Sequence, residues 1–142
     1  MSLVQGQAYT IVNMASNTVI DISGSDNKTV QCWQNNGGYS NQKWVALIAG
    51  DGWTFKNGRT GAYLSLSDYC GGSSNRVIGS NIPVVWTLTA VDASQLIFNV
   101  KLPLSSKPYS LDLEGSSAQD GAPIIMFQPT NNPNQNWKFV KS

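Results

Sequence analysis

Residues 41–47 read NQKWVAL, and residues 134–140 read NQNWKFV. Between them, PVVWTL at 83–88 keeps the tryptophan and lacks the Asn-Gln pair. A motif that returns at intervals within one chain marks an internally repeated fold. The segments before each tryptophan recur as well. YTIVN at 9, WTFKN at 53 and LIFNV at 96 start 44 and 43 residues apart. Each alternates apolar residues, as in Tyr9 and Ile11, Trp53 and Phe55, Leu96 and Phe98, which is the period of a half-buried strand. VIDI at 19, YLSL at 63 and SLDL at 110 follow. VQCW at 30, VIGS at 77 and IIMF at 124 come next.

Four strand segments in one order, three times over, predict twelve strands. The connectors agree: Ser23 to Asn27, Asn35 to Gly38, Asn57-Gly58, Gly71 to Ser74 and Asp120-Gly121 have turn chemistry. No segment sustains a helical period. A unit of about 44 residues is too small to bury its own apolar face, so three must close around a common core. Closure also removes exposed sheet edges. The expected fold is all-β, a β-trefoil of three four-stranded repeats with pseudo-threefold symmetry. It forms one domain over residues 1–142, with repeats α (1–49), β (50–92) and γ (93–142). Trp44, Trp86 and Trp137 are expected to pack around the axis, where burying an indole is worth roughly 2–3 kcal/mol.

Composition bounds the function. Charged residues are 12% of the 142 and the net charge is +1, too little for a phosphate-neutralising face, so nucleic acid is excluded as a partner. No apolar run reaches the roughly 20 residues that span a bilayer, so no membrane insertion is expected. There is no histidine, which removes Ser-His-Asp and Cys-His catalysis and every His-bearing metal site. The acidic residues show no calcium-loop pattern, so no metal and no cofactor are expected. The N-terminal MSLVQGQAYT lacks the basic and apolar regions of a secretory signal, which predicts a cytoplasmic location. In that compartment Cys32 and Cys70 should be buried thiols.

A repeat with x-Asp-x, an aromatic about a dozen residues on, and then Gln-x-Trp resembles the ricin B-chain-like, or R-type, lectins. The resemblance covers the whole chain, and short, histidine-poor members without a signal are similar to the cytosolic lectins of fungi. It implies a β-trefoil with up to three sugar sites. It also implies binding of galactose or N-acetylgalactosamine on glycoproteins or glycolipids, and a defensive role through crosslinking of glycans. In the α repeat the matching residues are Asp21, Gln31, Trp33, Asn36, Asn41 and Gln42. The aspartate would accept hydrogen bonds from vicinal sugar hydroxyls. Trp33 would lie against the C–H face of the sugar. Asn41, with Asn36, would complete the hydroxyl contacts, and Gln31 would orient Asp21 or a water. In the γ repeat Asp112, Phe127 and Asn134 match, with Ile125 in place of Gln31 and Asn131 or Asn132 in place of Asn36. The β repeat has Ser65, Ser80 and Val84 where the pattern asks for Asp, an aromatic and Gln, so it should be structural. Gln42 and Gln135 should bond to nearby backbone.

Two other classes fit the sequence less well. A glycosidase needs two carboxylates about 5–10 Å apart across one sugar. Asp21 and Asp112 lie in different repeats, and Glu114, although two residues from Asp112, is expected to lie away from Phe127. A β-trefoil protease inhibitor would present a loop, for which NIPVV at 81–85 and KLPLSSKPYS at 101–110 are the candidates. It would have no reason to keep Asp21, Trp33 and Asn41 together. The expected function is therefore sugar binding without catalysis, with two sites or a homodimer supplying avidity.

Overall fold

The computed structural model describes residues 2–67, 75–102 and 109–142. Twelve strands run in order: β1 (Ala8–Asn13), β2 (Val19–Ile22), β3 (Val30–Trp33), β4 (Trp44–Ala49), β5 (Gly52–Asn57), β6 (Tyr63–Leu66), β7 (Asn75–Ser80), β8 (Thr87–Asp92), β9 (Ile97–Leu102), β10 (Tyr109–Leu113), β11 (Ala122–Phe127) and β12 (Trp137–Lys141). The only helical pieces among the described residues are single 3-10 turns, at Ser40–Gln42, Ala93–Gln95, Glu114–Ser116 and Pro133–Gln135. None is long or apolar enough to cross a membrane.

Six strands close into a ring. β1 pairs with both β4 and β12, β4 with β5, β8 with β9 and β9 with β12. A bridge between Trp53 and Trp86 joins β5 to the start of β8. At that bridge the chains pass so closely that a Cβ on Gly52 would lie 2.5 Å from the Trp86 carbonyl oxygen. Only glycine fits there. The other six strands form the hairpins β2–β3, β6–β7 and β10–β11. They join one another through β11–β3, β11–β7 and a Thr29–Ile78 bridge, and so cap one end of the barrel.

Alternation places Tyr9, Ile11, Phe55, Phe98, Val100 and Phe139 in the core. The Phe139 ring meets Tyr9, Phe55 and Phe98 at centroid distances of 5.9, 5.5 and 5.8 Å. Trp44, Trp86 and Trp137 are fully buried. Each indole N–H donates to a backbone carbonyl of the cap: Ile20 at 3.0 Å, Leu64 at 3.1 Å and Leu111 at 3.0 Å. The tryptophans thus lock barrel to cap as well as filling volume.

One sequence register needs correction. Trp44 lies opposite Tyr9, Trp86 opposite Trp53 and Trp137 opposite Phe98. Phe98, not Leu96, therefore corresponds to Tyr9 and Trp53. Leu96 follows the 3-10 turn Ala93–Gln95 with φ of +55° and precedes the strand. A two-residue slip leaves every side chain on the same face, so alternation alone could not reveal it. Cys32 is a free, buried thiol, and burial pushes its pKa up to about 12, which makes it unreactive. Cys70, Asp68 and most of the 101–110 segment lie outside the described residues.

Candidate functional site

The α cavity, about 470 Å³, is lined by Asp21, Gln31, Trp33, Asn36 and Asn41 together with Ser23, Gly24 and Ser25. Asp21 sits on β2 directly opposite Gln31 of β3, and Trp33 follows on the same face two residues along. Asn41 arrives from the 3-10 turn Ser40–Gln42 that leads into Trp44. Asp21 is only 3% exposed, and amides hold its carboxylate. Gln31 Nε2 donates to Oδ1 at 3.3 Å, while Asn41 Nδ2 and Gln42 Nε2 donate to Oδ2 at 3.0 and 3.1 Å. Asn41 Nδ2 also reaches the Ile22 carbonyl at 3.2 Å. Gln42 is fixed at both ends, donating to the Gln34 carbonyl at 2.9 Å and accepting the Asn36 N–H at 2.9 Å.

The γ cavity is smaller, about 290 Å³, and is lined by Asp112, Glu114, Ile125, Phe127, Thr130, Asn132 and Asn134 among others. Here Asn134 Nδ2 donates to Asp112 Oδ1 at 3.2 Å and to the Leu113 carbonyl at 3.1 Å. Gln135 Nε2 donates to Asp112 Oδ2 at 2.8 Å and to the Gln128 carbonyl at 2.9 Å, and its oxygen accepts the Thr130 N–H at 2.8 Å. Ile125 stands opposite Asp112 as Gln31 stands opposite Asp21, so the γ carboxylate lacks the third amide.

Burial raises the pKa of both aspartates, and the amide hydrogen bonds oppose that rise. The charge of Asp120 adds a small upward push at Asp21, and that of Glu114 does so at Asp112. In the remaining hairpin, β6–β7, Ser65 lies opposite Ile78 and Ser80 opposite Tyr63, so position 65 offers no carboxylate and position 80 no ring.

Two expectations change. Gln42 and Gln135 do bond to backbone, but they also bond the aspartates directly and belong to the sites. Thr130 gives the N–H that Asn36 gives in the α cavity, and Asn132 lines the γ cavity as Asn36 lines the α cavity. Glu114 lines the γ cavity together with Asp112 and Phe127, just past the end of β10.

A further pair was missed altogether. Asn57 Nδ2 donates to the Asn41 carbonyl at 3.0 Å, and Asn13 Nδ2 to the Asn134 carbonyl at 2.9 Å. Each Oδ1 accepts backbone N–H groups of its own turn, Arg59 and Thr60 for Asn57, Ala15 and Ser16 for Asn13. The signal was available: YTIVN and WTFKN both end in Asn, opposite Trp137 and Trp44. Continuing the β8–β9 register puts Leu102 at the corresponding place opposite Trp86, beside the hairpin that carries Ser65 in place of the aspartate. Asp120, a turn residue by its sequence, also supports the α cavity: its Oδ1 accepts the Gln34 N–H at 2.8 Å, next to Trp33 in sequence.

A closed barrel carrying two polar cavities, each built on a buried carboxylate and an aromatic ring, is the construction of a β-trefoil carbohydrate-binding protein. The family model of the ricin-type beta-trefoil lectin domain-like proteins matches residues 2–79 and 40–127, and the chain belongs to that family. The fold is similar to that of the Macrolepiota procera ricin B-like lectin solved in complex with lactose, with a TM-score of 0.90, 28% identity and all of both chains covered. It is also similar to the Rhizoctonia solani agglutinin, with a TM-score of 0.86 and 26% identity over 100% of this chain and 99% of that one. A designed threefold-symmetric protein, ThreeFoil, matches with a TM-score of 0.83 and 22% identity over 95% and 99%, a likeness of fold alone. No curated protein sequence matches the chain.

Proposed function

We propose that the α cavity binds a terminal galactose or N-acetylgalactosamine of a glycan, that the γ cavity is a second and weaker site, and that neither carries out catalysis. The observation that carries this reading is the Asp21 carboxylate, gripped by three amides beside the Trp33 ring. A carboxylate has about four acceptor positions. The amides occupy three and fix the plane, leaving acceptor capacity for a sugar hydroxyl at a defined angle. An axial O4 leaves one face of galactose as a C–H patch, which an indole covers by dispersion. At Asp112 only two amides bind and the ring is the smaller phenyl of Phe127. The similarity to a lectin solved with lactose supports a galactoside as ligand.

The Asp112–Glu114 pair does not make the γ cavity a hydrolase in this reading. Both Asp112 oxygens are engaged by amides that cannot turn, and Asp21 has no carboxylate partner lining its cavity. The fold is read as three four-stranded repeats about a pseudo-threefold axis, of which the middle one kept Trp86 and lost its site.

Calorimetry with lactose and N-acetylgalactosamine tests the proposal. Asp21→Ala should remove most of the binding and Asp112→Ala a smaller part, both without loss of the fold. Full binding in both variants, or release of product from a chromogenic galactoside, would overturn it.

A further inference from the structure

A third cavity, about 560 Å³, is neither sugar site. Lys28 and Arg59 line it, with Asn27, Thr60 and Asn81 among its polar walls, and no carboxylate does. It adjoins the β6–β7 hairpin, but Ser80 stands where the other hairpins carry Trp33 and Phe127. With neither ring nor carboxylate acceptor, it cannot hold a sugar as the α cavity does. Its distinguishing chemistry is two cations in a chain with only nine Lys and Arg.

Both charged ends are unpaired among the described residues. The hydrogen bonds of Lys28 and Arg59 run through their backbone groups. Asp26, the carboxylate nearest to Lys28 in sequence, is engaged in its own turn. It accepts the N–H groups of Lys28 and Thr29 and the Thr29 hydroxyl, and these bonds lower its pKa to about 2.

The cationic cavity and the α cavity share a wall. Gly24 lines the α cavity, and a Cβ there would lie 3.3 Å from an Arg59 guanidinium nitrogen. The turn that carries Arg59 is clamped to the α site from beneath. Gly58 N–H donates to the Lys43 carbonyl at 2.8 Å, and Asn57 holds the Asn41 carbonyl at 3.0 Å. A glycan seated on Trp33 therefore meets, across Gly24, a guanidinium in a fixed turn whose cavity Lys28 also lines.

We propose that this cavity is a subsite for the anionic group, a sulfate ester or a carboxylate, of an acidic glycan whose galactose occupies the α cavity. The inference rests on the galactoside reading of that cavity. Arginine and lysine recognise both anions by charge-assisted hydrogen bonds. Because the two cations are exposed, the gain should be moderate and should weaken with salt.

The test is calorimetry of the wild type and of the Lys28→Gln/Arg59→Gln double variant. The ligands are lactose, 3′- and 6′-sulfated lactose, and 3′- and 6′-sialyllactose, at low and high salt. The sulfated and sialylated arms separate the ester from the carboxylate. At least one acidic ligand should bind the wild type about tenfold more tightly than lactose does at low salt. The double variant should lose that advantage while keeping its affinity for lactose. If no acidic ligand gains over lactose, or if the gain survives in the double variant or at high salt, the subsite is overturned. If the wild type fails to bind lactose at all, the galactoside reading itself falls, and the subsite with it.

Discussion

Asp21 and Asp112 stand at corresponding places and accept the same kinds of amide, yet they should tolerate replacement differently. An asparagine turns one acceptor oxygen into a donor. At Asp21 that NH₂ can face Gln31, a half-buried side chain whose amide hydrogen bonds, among those described, only to Asp21. Gln31 can flip and accept. At Asp112 the partners are Asn134, tied also to the Leu113 carbonyl, and Gln135, tied to Gln128 and Thr130, and neither can flip. Two buried donors would then meet. Asp112→Asn should therefore lower stability by about 1–2 kcal/mol more than Asp21→Asn does, which paired thermal melts would show. The aspartates and the rings were legible in the sequence because they recur at corresponding positions of the repeated segments. The donors on the aspartates were less so. Gln42 and Gln135 lie in turns, where no periodicity tells which way a side chain points, and Glu114 stands just past the end of β10, where strand alternation no longer fixes its direction.

At the scale of elements, each carboxylate cavity is held by a strand that contributes nothing to its lining. β5 supports the α cavity through Asn57, and β1 supports the γ cavity through Asn13. The β8–β9 register supplies the control, since Leu102 occupies the corresponding place beside the hairpin that lacks a site. Asn57→Leu should reproduce that state. It removes the grip on the Asn41 carbonyl, so α-site affinity for lactose should fall about tenfold, with γ-site binding unchanged, at a stability cost of about 1–2 kcal/mol. Two-site calorimetry of Asn57→Leu beside Asn13→Leu would reverse the affected site between the two. All twelve strand segments were readable, since alternation and turn residues mark them locally. The pairing of strands was not, as the two-residue error at Leu96 shows. It depends on which carbonyl each tryptophan reaches, a long-range fact with no local trace.

For the whole molecule, acidity and valence decide how tightly a surface is held. Burial raises both aspartate pKa values above 3.8. For an acid raised in this way folding favours the protonated form, so its contribution to stability is full at low pH and is lost as pH rises through the folded value. Ligand binding runs the other way, because the protonated carboxyl loses acceptor capacity. Lactose affinity should therefore decline on acidification toward about pH 4 before the protein unfolds, and should return on neutralisation. Affinity titrations read beside far-ultraviolet circular dichroism would separate the two events. Valence is tested at Phe127. With the γ ring gone, Phe127→Ala should reduce agglutination more than it reduces affinity for free lactose, and an equal fall in both would make γ the principal site.

The supporting asparagines also impose an order in time. The Asn57–Asn41 clamp spans 16 residues of chain, whereas the Asn13–Asn134 clamp spans 121. The short span can close on local contacts, but the long one waits for β12 to dock on β1, against roughly 2 kcal/mol more loop-closure entropy. A refolding or newly made chain should thus acquire its α pocket early and its γ pocket only with the last step of barrel closure, passing through a state that can hold one glycan before it can bridge two.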